Sequence, residues 1–384
     1  LLLLINIIIN IGQQMLTPNM ARYMSMLGSA THMLGMASSV FSMAALLIRP
    51  VSGVVADRLD EKKMLIASFI GITMVSVCYC FAQNVIFFLS LRFLHGIFYG
   101  MCTTLAMAIA SQSLPEEKMT FGIGIYGLTQ IVAMSVAPTL GLYLISDFNY
   151  LVLFIAASGT FSAGVLVSFL LHPVDRAQSQ AAQPPRSFLK SFSVGTMIAR
   201  EALPPALIIT ANNISYGLIN AFVILYGQQM QIRQMGLFFT VYAAAVLVFR
   251  PMTGKMMERF TIGHIVISGG VLLMIGFITV SMADSLFSML CASVLFGVGN
   301  GVTLPALQAC ALQSVPASRR GVASGTIYMG MDLGLVLGPA IGGVIAGMFG
   351  YRLMFFSGVV PVLAGFVIYR RCRLNKGPNA IDKR

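Results

Sequence analysis

Charge is what this sequence has least of. Only 9% of its 384 residues are Asp, Glu, Lys or Arg, where a soluble domain carries roughly a quarter. With 57% hydrophobic residues, the chain has too little polar side chain to cover itself in water. Acid is scarcer than base, 12 residues against 24, which leaves a net charge of +12. That excess does not point to nucleic acid, because the basic residues are dealt out between apolar stretches and not gathered in one patch. The six cysteines, Cys78, Cys80, Cys102, Cys291, Cys310 and Cys372, have no metal-ligand spacing. Five lie inside apolar stretches and one follows the last, so they read as small hydrophobes and not as disulfides. No nucleotide-binding Gly-Lys-Ser/Thr loop, metal-spaced His/Cys set or nucleophile elbow is present. These absences argue against an enzyme and against ATP-driven pumping by this chain alone, and nothing calls for a cofactor.

What is present is a succession of apolar runs. Crossing a hydrocarbon core about 30 Å thick takes about twenty mostly apolar residues, at a rise of about 1.5 Å each. Spans are expected at 1–26, 33–56, 64–82, 85–112, 119–146 and 148–171, then at 203–227, 234–254, 263–282, 285–314, 319–347 and 350–370. The chain starts on Leu1-Leu-Leu-Leu-Ile, as a span already under way, and has no basic region or small-residue cleavage site of a signal peptide. The 37 glycines suit close helix packing. The long polar gap after His172 holds Gln-Ser-Gln-Ala-Ala-Gln-Pro-Pro-Arg and reads as a linker. The expected organisation is a six-helix bundle over 1–171, a cytoplasmic linker over 172–202, a second bundle over 203–371 and a basic tail over 372–384. A short amphipathic piece, Phe188–Phe192, would suit the membrane surface.

Lys and Arg set the orientation. Alternate loops carry Arg58, Lys62 and Lys63; Lys118; Arg176, Arg186, Lys190 and Arg200; Lys255 and Arg259; Arg319 and Arg320; and the tail. The opposite loops hold Arg22, Arg233 and Arg352. The rich side is expected in the cytoplasm. Both ends and the linker then share that side, which requires an even number of spans.

The chain also repeats itself. A shift of 201 residues brings Arg49-Pro50-x-x-Gly53-x-x-x-Asp57-Arg58 onto Arg250-Pro251-x-x-Gly254-x-x-x-Glu258-Arg259. The same shift pairs Gly96 with Gly297, Gly100 with Gly301, Gly124 with Gly325, Pro138 with Pro339, Gly141 with Gly342 and Tyr150 with Tyr351. One offset over about a hundred residues marks two related halves of like topology, the parallel repeat of transporters that bind near the midplane.

These residues resemble the major facilitator superfamily. Gly53-Val-Val-Ala-Asp57-Arg58-Leu-Asp60-Glu61-Lys62-Lys63 is similar to its loop 2–3 signature, Gly-x-x-x-Asp-Arg-x-Gly-Arg-Arg, with Asp60 and Glu61 in place of the usual Gly and Arg. Arg92-x-x-x-Gly96 resembles its fourth-span motif. Ala137-Pro138-x-x-Gly141 and Gly338-Pro339-x-x-Gly342-Gly343 resemble the fifth-span motif of its proton-coupled exporters and a second-half copy. The resemblance implies an all-α integral membrane fold of twelve transmembrane helices in two pseudo-symmetric six-helix bundles. It also implies that Asp57 caps the start of span 11 as a gate element, echoed by Glu258 and Arg259. A plain interfacial charge pair is the competing account of Asp57.

Four groups of residues are candidates for the function. Arg49 and Arg250 precede prolines, and a structural role is expected in which each serves carbonyls freed by its proline. Arg92 lies mid-span, where a charge is costly and faces a cavity or partner, and His95 shares its face. Asp332 is the one carboxylate deep inside a span, a candidate proton carrier that desolvation would favour, with Tyr328 nearby. Asn6, Asn10, Gln13 and Thr17 form a stripe on span 1, and Asn212, Tyr216 and Asn220 form one on span 7, both expected to face protein or water. Tyr126, Gln130, Asn300 and Gln308 are expected to join them around a substrate cavity. Helix–helix hydrogen bonding is the competing account for each. Gly330, Gly334, Gly338 and Gly342 read as a packing stripe, with Pro138, Gly141, Gly338, Pro339 and Gly342 at candidate bends.

The function expected is secondary active transport of small organic molecules by alternating access, with protons as the coupling partner and export as the direction. An importer of an organic anion attracted by Arg92 is the alternative within the class. A non-transporting sensor or lipid-handling protein is the alternative outside it. A monomer in the lipid bilayer of the cell membrane is expected, with both termini cytoplasmic, one small-molecule substrate and no nucleic acid, metal or cofactor.

Overall fold

The computed structural model describes residues 1–29, 36–115, 118–171, 197–232 and 234–372. The expected surface piece 188–192, most of the linker and nearly all of the tail lie outside the described residues. Among those described there is helix and no strand. In chain order the helices are α1 (Leu2–Met26), α2 (Met36–Arg58), α3 (Glu61–Cys78), α4 (Val85–Gln112), α5 (Met119–Asp147) and α6 (Tyr150–Phe169). There follow α7 (Leu203–Gln229), α8 (Gly236–Phe249), α9 (Met252–Arg259), α10 (Ile262–Ser281), α11 (Leu286–Gln313), α12 (Arg320–Ser357) and α13 (Val359–Cys372).

Among the described residues, nine helices are each long and apolar enough to cross a membrane. The remaining crossings are obscured for physical reasons. Asn6, Asn10, Gln13 and Asn19 lower the apolar character of α1. Pro251 cannot donate the backbone bond a helix interior needs, and it parts α8 from α9. α12 runs past Gly350, whose φ of +81° is left-handed and turns the chain into the twelfth crossing. Counted so, twelve crossings stand where the spacing predicts them.

Helix starts follow short polar signals. Asp60 caps α3 by accepting from the Lys63 amide at 3.1 Å, and Asn84 caps α4 by accepting from Phe87 at 2.8 Å. Asn149 does the same for α6, and Ser285 forms a reciprocal cap with Ser288 on α11. Asn84 and Ser285 are repeat equivalents, so the device is kept while the residue changes. At the other end of α6, Lys62 Nζ donates to the Phe169 and Leu171 carbonyls at 2.8 and 2.6 Å, a cation on a helix C-terminus.

The chain divides into two compact units. Unit 1 holds 1–114, 129–199 and 315–328; unit 2 holds 115–128, 200–314 and 329–384. Each unit is a half of the chain, except that the first turns of α5 belong with unit 2 and the first turns of α12 with unit 1. In unit 1, α2 packs on α4, α3 on α4 and α6, and α1 on α6. In unit 2, α8 packs on α11, α10 on α11, and α7 on α13, which are the equivalent pairings.

The repeat reaches side chains. Tyr23 packs on Tyr150 and Phe154 with ring centroids 4.9 and 5.0 Å apart, and its hydroxyl donates to the Ala82 carbonyl. Tyr226 packs on Tyr351 and Phe355 at 6.1 and 5.3 Å, and its hydroxyl donates to the Ala283 carbonyl. The outer faces are apolar: Ile86 is 80% exposed and its equivalent Phe287 77% exposed. Such exposure along whole helices is a liability in water and ordinary in lipid.

Candidate functional site

α2 meets the start of α12 inside unit 1. The Asp57 carboxylate accepts from the Gly321 amide at 2.7 Å through Oδ1 and from the Val322 amide at 3.0 Å through Oδ2. These are among the orphan donors of a helix N-terminus, so the carboxylate meets both their hydrogen bonds and the positive end of the helix. The approach is backbone on backbone. A Cβ at Gly53 would lie 2.8 Å from Val322 Cα, and one at Gly325 would lie 2.7 Å from the Arg49 carbonyl oxygen. In unit 2 the equivalents repeat the contact. Gly254 lies against Phe121, and Gly124 lies against the Arg250 carbonyl. Arg259 ends α9 as Arg58 ends α2. The Glu258 side chain lies outside the described ones.

Arg49 is 2% exposed. Its Nη1 donates to Thr103 Oγ1 at 2.5 Å, the Gly100 carbonyl at 3.2 Å and Thr104 Oγ1 at 3.3 Å, and its guanidinium lies 4.4 Å from the Tyr328 ring centre. Its role is structural, but the carbonyl it serves belongs to α4 and not to a break at its own proline. The reason is that α2 runs through Pro50 as continuous helix. Two further residues enter here that motif reading passed over. Glu61, where the signature has a basic residue, is 5% exposed and accepts from Gln112 Nε2 at 2.7 Å. Arg320 is 4% exposed and donates to the Ser111 carbonyl at 2.9 Å.

The span 1 stripe is buried and internally bonded. Asn6 Nδ2 donates to Thr129 Oγ1 on α5 at 2.6 Å, and Asn10 Nδ2 donates to the Asn6 carbonyl at 2.7 Å. Gln13 Nε2 donates to Thr17 at 2.9 Å, while Gln13 Oε1 is buried with no partner. In unit 2, Asn212, Tyr216 and Asn300 come together with Tyr242, Phe277 and Phe296 around a narrow cleft with room for about one water. Asn300 Nδ2 donates to the Tyr242 hydroxyl at 3.0 Å, and the rings of Tyr216 and Tyr242 are 5.8 Å apart. Tyr242 was not singled out by its sequence context; its equivalence to the apolar Phe41 hid it. Asn220 is exposed and stands apart from this cleft. Gln308 is 5% exposed and reaches Met331 Sδ at 3.6 Å. Tyr126 is buried and Gln130 half-buried on α5.

Arg92 and His95 lie fully enclosed in unit 1. Arg92 Nε donates to the Ala37 carbonyl at 2.8 Å, and its guanidinium lies 4.5 Å from the Phe41 ring centre. His95 Nδ1 shares a hydrogen bond of 3.1 Å with the Tyr79 hydroxyl. Asp332 is half-buried in unit 2 on α12. On either side of it, Gly330 lies against the Ala206 carbonyl and Gly334 against Asn213 and the Thr210 carbonyl. The stripe continues, with Gly338 against the Ile214 carbonyl and Gly342 against Leu218, and with Pro339 against Gly217. Pro138 stands inside α5, where Gly141 lies against the Met15 carbonyl of α1. Both prolines sit within unbroken helices. The small residues around them therefore serve close packing of α12 on α7 and of α5 on α1.

The sequence profile of the Major Facilitator Superfamily matches residues 2–232 and again 205–383, one match on each half of the repeat. The multi-drug resistance efflux pump PmrA of Streptococcus pneumoniae is 24% identical over 336 residues, covering 84% of this chain and 82% of PmrA. The multidrug resistance protein MdtG of Salmonella dublin is 26% identical over 373 residues, covering 92% of this chain and 88% of MdtG. The crystal structure of the human organic anion transporter MFSD10 superposes with a TM-score of 0.76 at 16% identity, over 96% of this chain and 97% of that one. Matched along both halves and sharing that fold end to end, the chain belongs to the Major Facilitator Superfamily, as a multi-pass membrane transporter and not an enzyme.

Proposed function

We propose that this chain exports small organic molecules in exchange for protons, by alternating access of two six-helix bundles, 1–171 and 203–371, joined by a cytoplasmic linker over 172–202. The observation that carries the coupling is Asp332. It is a carboxylate inside a crossing, where its neighbours over 329–338 are all Gly, Leu, Met or Val, and a charge in such a place is costly. A proton shifts a conformational balance only through unequal affinity for the two states, so Asp332 must meet different surroundings in each. Arg92 tunes that balance electrostatically, and His95 is a second proton-accepting group. Export is supported by relatives that are efflux pumps.

The proposed cavity residues are Asn6, Asn10, Gln13, Tyr126, Gln130, Asn212, Tyr216, Asn220, Asn300, Gln308 and Tyr328, to which Tyr242 is added; Arg92, expected among them, is fully enclosed in the conformation described. Few charges stand within the spans, which favours neutral, amphipathic or weakly anionic substrates over polycations. The Asp57 cap on α12 is a latch that holds one state, with Glu258 as its counterpart at the start of α5. The chain works as a monomer in the cell membrane; both termini lie in the cytoplasm, because the basic loops share one side. The test is a pH-sensitive dye sealed inside proteoliposomes. Addition of a transported compound must drive protons opposite to it, and transport without proton movement rejects the coupling. Import of an organic anion is the second reading, favoured by the buried cation at Arg92.

A further inference from the structure

Arg92 and its repeat equivalent Ser293 perform the same structural task. Arg92 Nε donates to the Ala37 carbonyl at 2.8 Å, and Ser293 Oγ donates to the Phe238 carbonyl at 2.5 Å. Donor and acceptor are both 201 residues apart between the halves. A neutral hydroxyl is thus enough to fasten α11 to α8, and the charge of Arg92 is surplus to fastening α4 to α2. The surplus is also unmatched. Arg92 is 0% exposed, and neither Nη1 nor Nη2 has a well-formed hydrogen bond among the described residues. The Tyr79 hydroxyl is a polar neighbour, and the Phe41 ring covers a face of the guanidinium. No carboxylate pairs with Arg92 among the described residues.

His95 adds a third open position. It is 0% exposed, its Nδ1 is engaged by Tyr79, and its Nε2 has no partner. Arg92, which can only donate, faces the Tyr79 hydroxyl oxygen and leaves that hydroxyl's proton for His95 Nδ1; in that tautomer the ring proton sits on Nε2 and makes it a donor. The second half has no such niche. The equivalents of His95 and Tyr79 are Phe296 and Val280, and Phe296 packs edge-on against Phe277 at 4.8 Å. A buried cation with open donors and no counter-charge is destabilising. A bound anion removes that cost and supplies the missing acceptor.

We propose that Arg92 and His95 hold a small monovalent anion, chloride in size and charge, inside unit 1. Its size follows from burial: in this conformation the donors have no exposed surface, which shuts out an organic anion and leaves a compact ion. The anion is a resident counter-ion. It stabilises the packing of α2, α3 and α4 whatever compound the chain carries; the site shares Arg92 and His95 with the proposed coupling, and its test reads anion binding and unfolding, not transport.

The test uses the purified full chain in nanodiscs. Thermal unfolding is followed while chloride replaces gluconate at constant ionic strength, with radiolabelled chloride binding in parallel. The parent is expected to bind chloride at a saturable site and to unfold at a temperature that rises with occupancy, with bromide substituting. Arg92→Ser installs the residue that the second half uses. It is expected to fold, to lose the binding and to unfold at the same temperature in both salts. His95→Phe is expected to weaken binding about tenfold or more, the worth of one hydrogen bond to a charged group. A parent indifferent to chloride overturns the proposal, leaving the niche to water. So does a response kept in Arg92→Ser, and so does stabilisation by acetate without chloride, which would mark a carboxylate site. If Arg92→Ser fails to fold, His95→Phe decides, and unchanged chloride affinity in it is fatal.

Discussion

Replacing Asp57 by Asn should loosen the start of α12 by a predictable amount. The carboxylate accepts two amide hydrogens there, from Gly321 at 2.7 Å and Val322 at 3.0 Å. Hydrogen bonds to a charged group are each worth about 1.5–3 kcal/mol, and neutral ones about 0.5–1.5. Asn keeps one oxygen, so it retains one neutral bond and loses the other bond and the charge. Asp57 is only half-buried, which places the loss near the low end, at about 2 kcal/mol. Since about 1.4 kcal/mol is a factor of ten, the opening that frees these amides should become about thirtyfold more frequent. Hydrogen–deuterium exchange reads this directly, as faster exchange at residues 321 and 322. Amides near Thr120 and Phe121 at the start of α5 act as the internal control. The reasoning is refuted if exchange at 321 and 322 in Asp57→Asn stays within about twofold of the parent, because two bonds at these distances cannot then be holding the helix.

Other substitutions probe neighbouring contacts. Gly325→Val places a side chain where a Cβ alone would be 2.7 Å from the Arg49 carbonyl oxygen; it should cost about 1–3 kcal/mol, seen as a lower unfolding temperature. Arg49→Met removes the donor to Gly100 and Thr103 and should destabilise by about 1–3 kcal/mol, whereas Arg58→Met should leave the unfolding temperature nearly unchanged. Asp60→Ala removes the α3 cap at a cost of about 1 kcal/mol. Burial pushes the Asp60 carboxyl up, but the Lys63 amide and ammonium outweigh it and hold the group below its ordinary value of 3.8. The cap should therefore act throughout the range above about pH 4, and unfolding temperatures of parent and variant should converge only as pH falls further. Tyr242→Phe removes the hydroxyl that accepts from Asn300 and should change the relative rates for transported compounds more than it changes stability.

Much of this arrangement is legible before any coordinates. The 201-residue offset pairs Gly53 with Gly254 and Gly124 with Gly325, and the resemblance puts Asp57 at the start of the eleventh span; the coordinates add that these glycines bring α2 against the start of α12 and α9 against the start of α5. The Gly330–Gly342 stripe likewise foretells a packed face, and the structure puts it on α7. Side-chain identity misleads where one task is done by unlike residues. Arg92 and Ser293 bind equivalent carbonyls, yet nothing in an arginine opposite a serine reveals a shared role. Glu61 reads as a defect in a basic motif and proves to be buried against Gln112. Tyr242 sits where the other half has Phe41, so its hydroxyl is invisible to an argument from repeats. The polar stripe of α1 shows the limit of periodicity. Spacing places Asn6 and Asn10 on one face, but not that Asn6 bonds Thr129 on α5.

The most direct test of the account is transport in proteoliposomes, comparing the parent with Asp332→Asn under an imposed pH gradient and under substrate exchange alone. The account predicts that the parent moves a compound against its gradient only while protons run the other way. It predicts that Asp332→Asn loses this driven movement and keeps exchange. Driven transport that ignores the pH gradient, or that survives intact in Asp332→Asn, contradicts it.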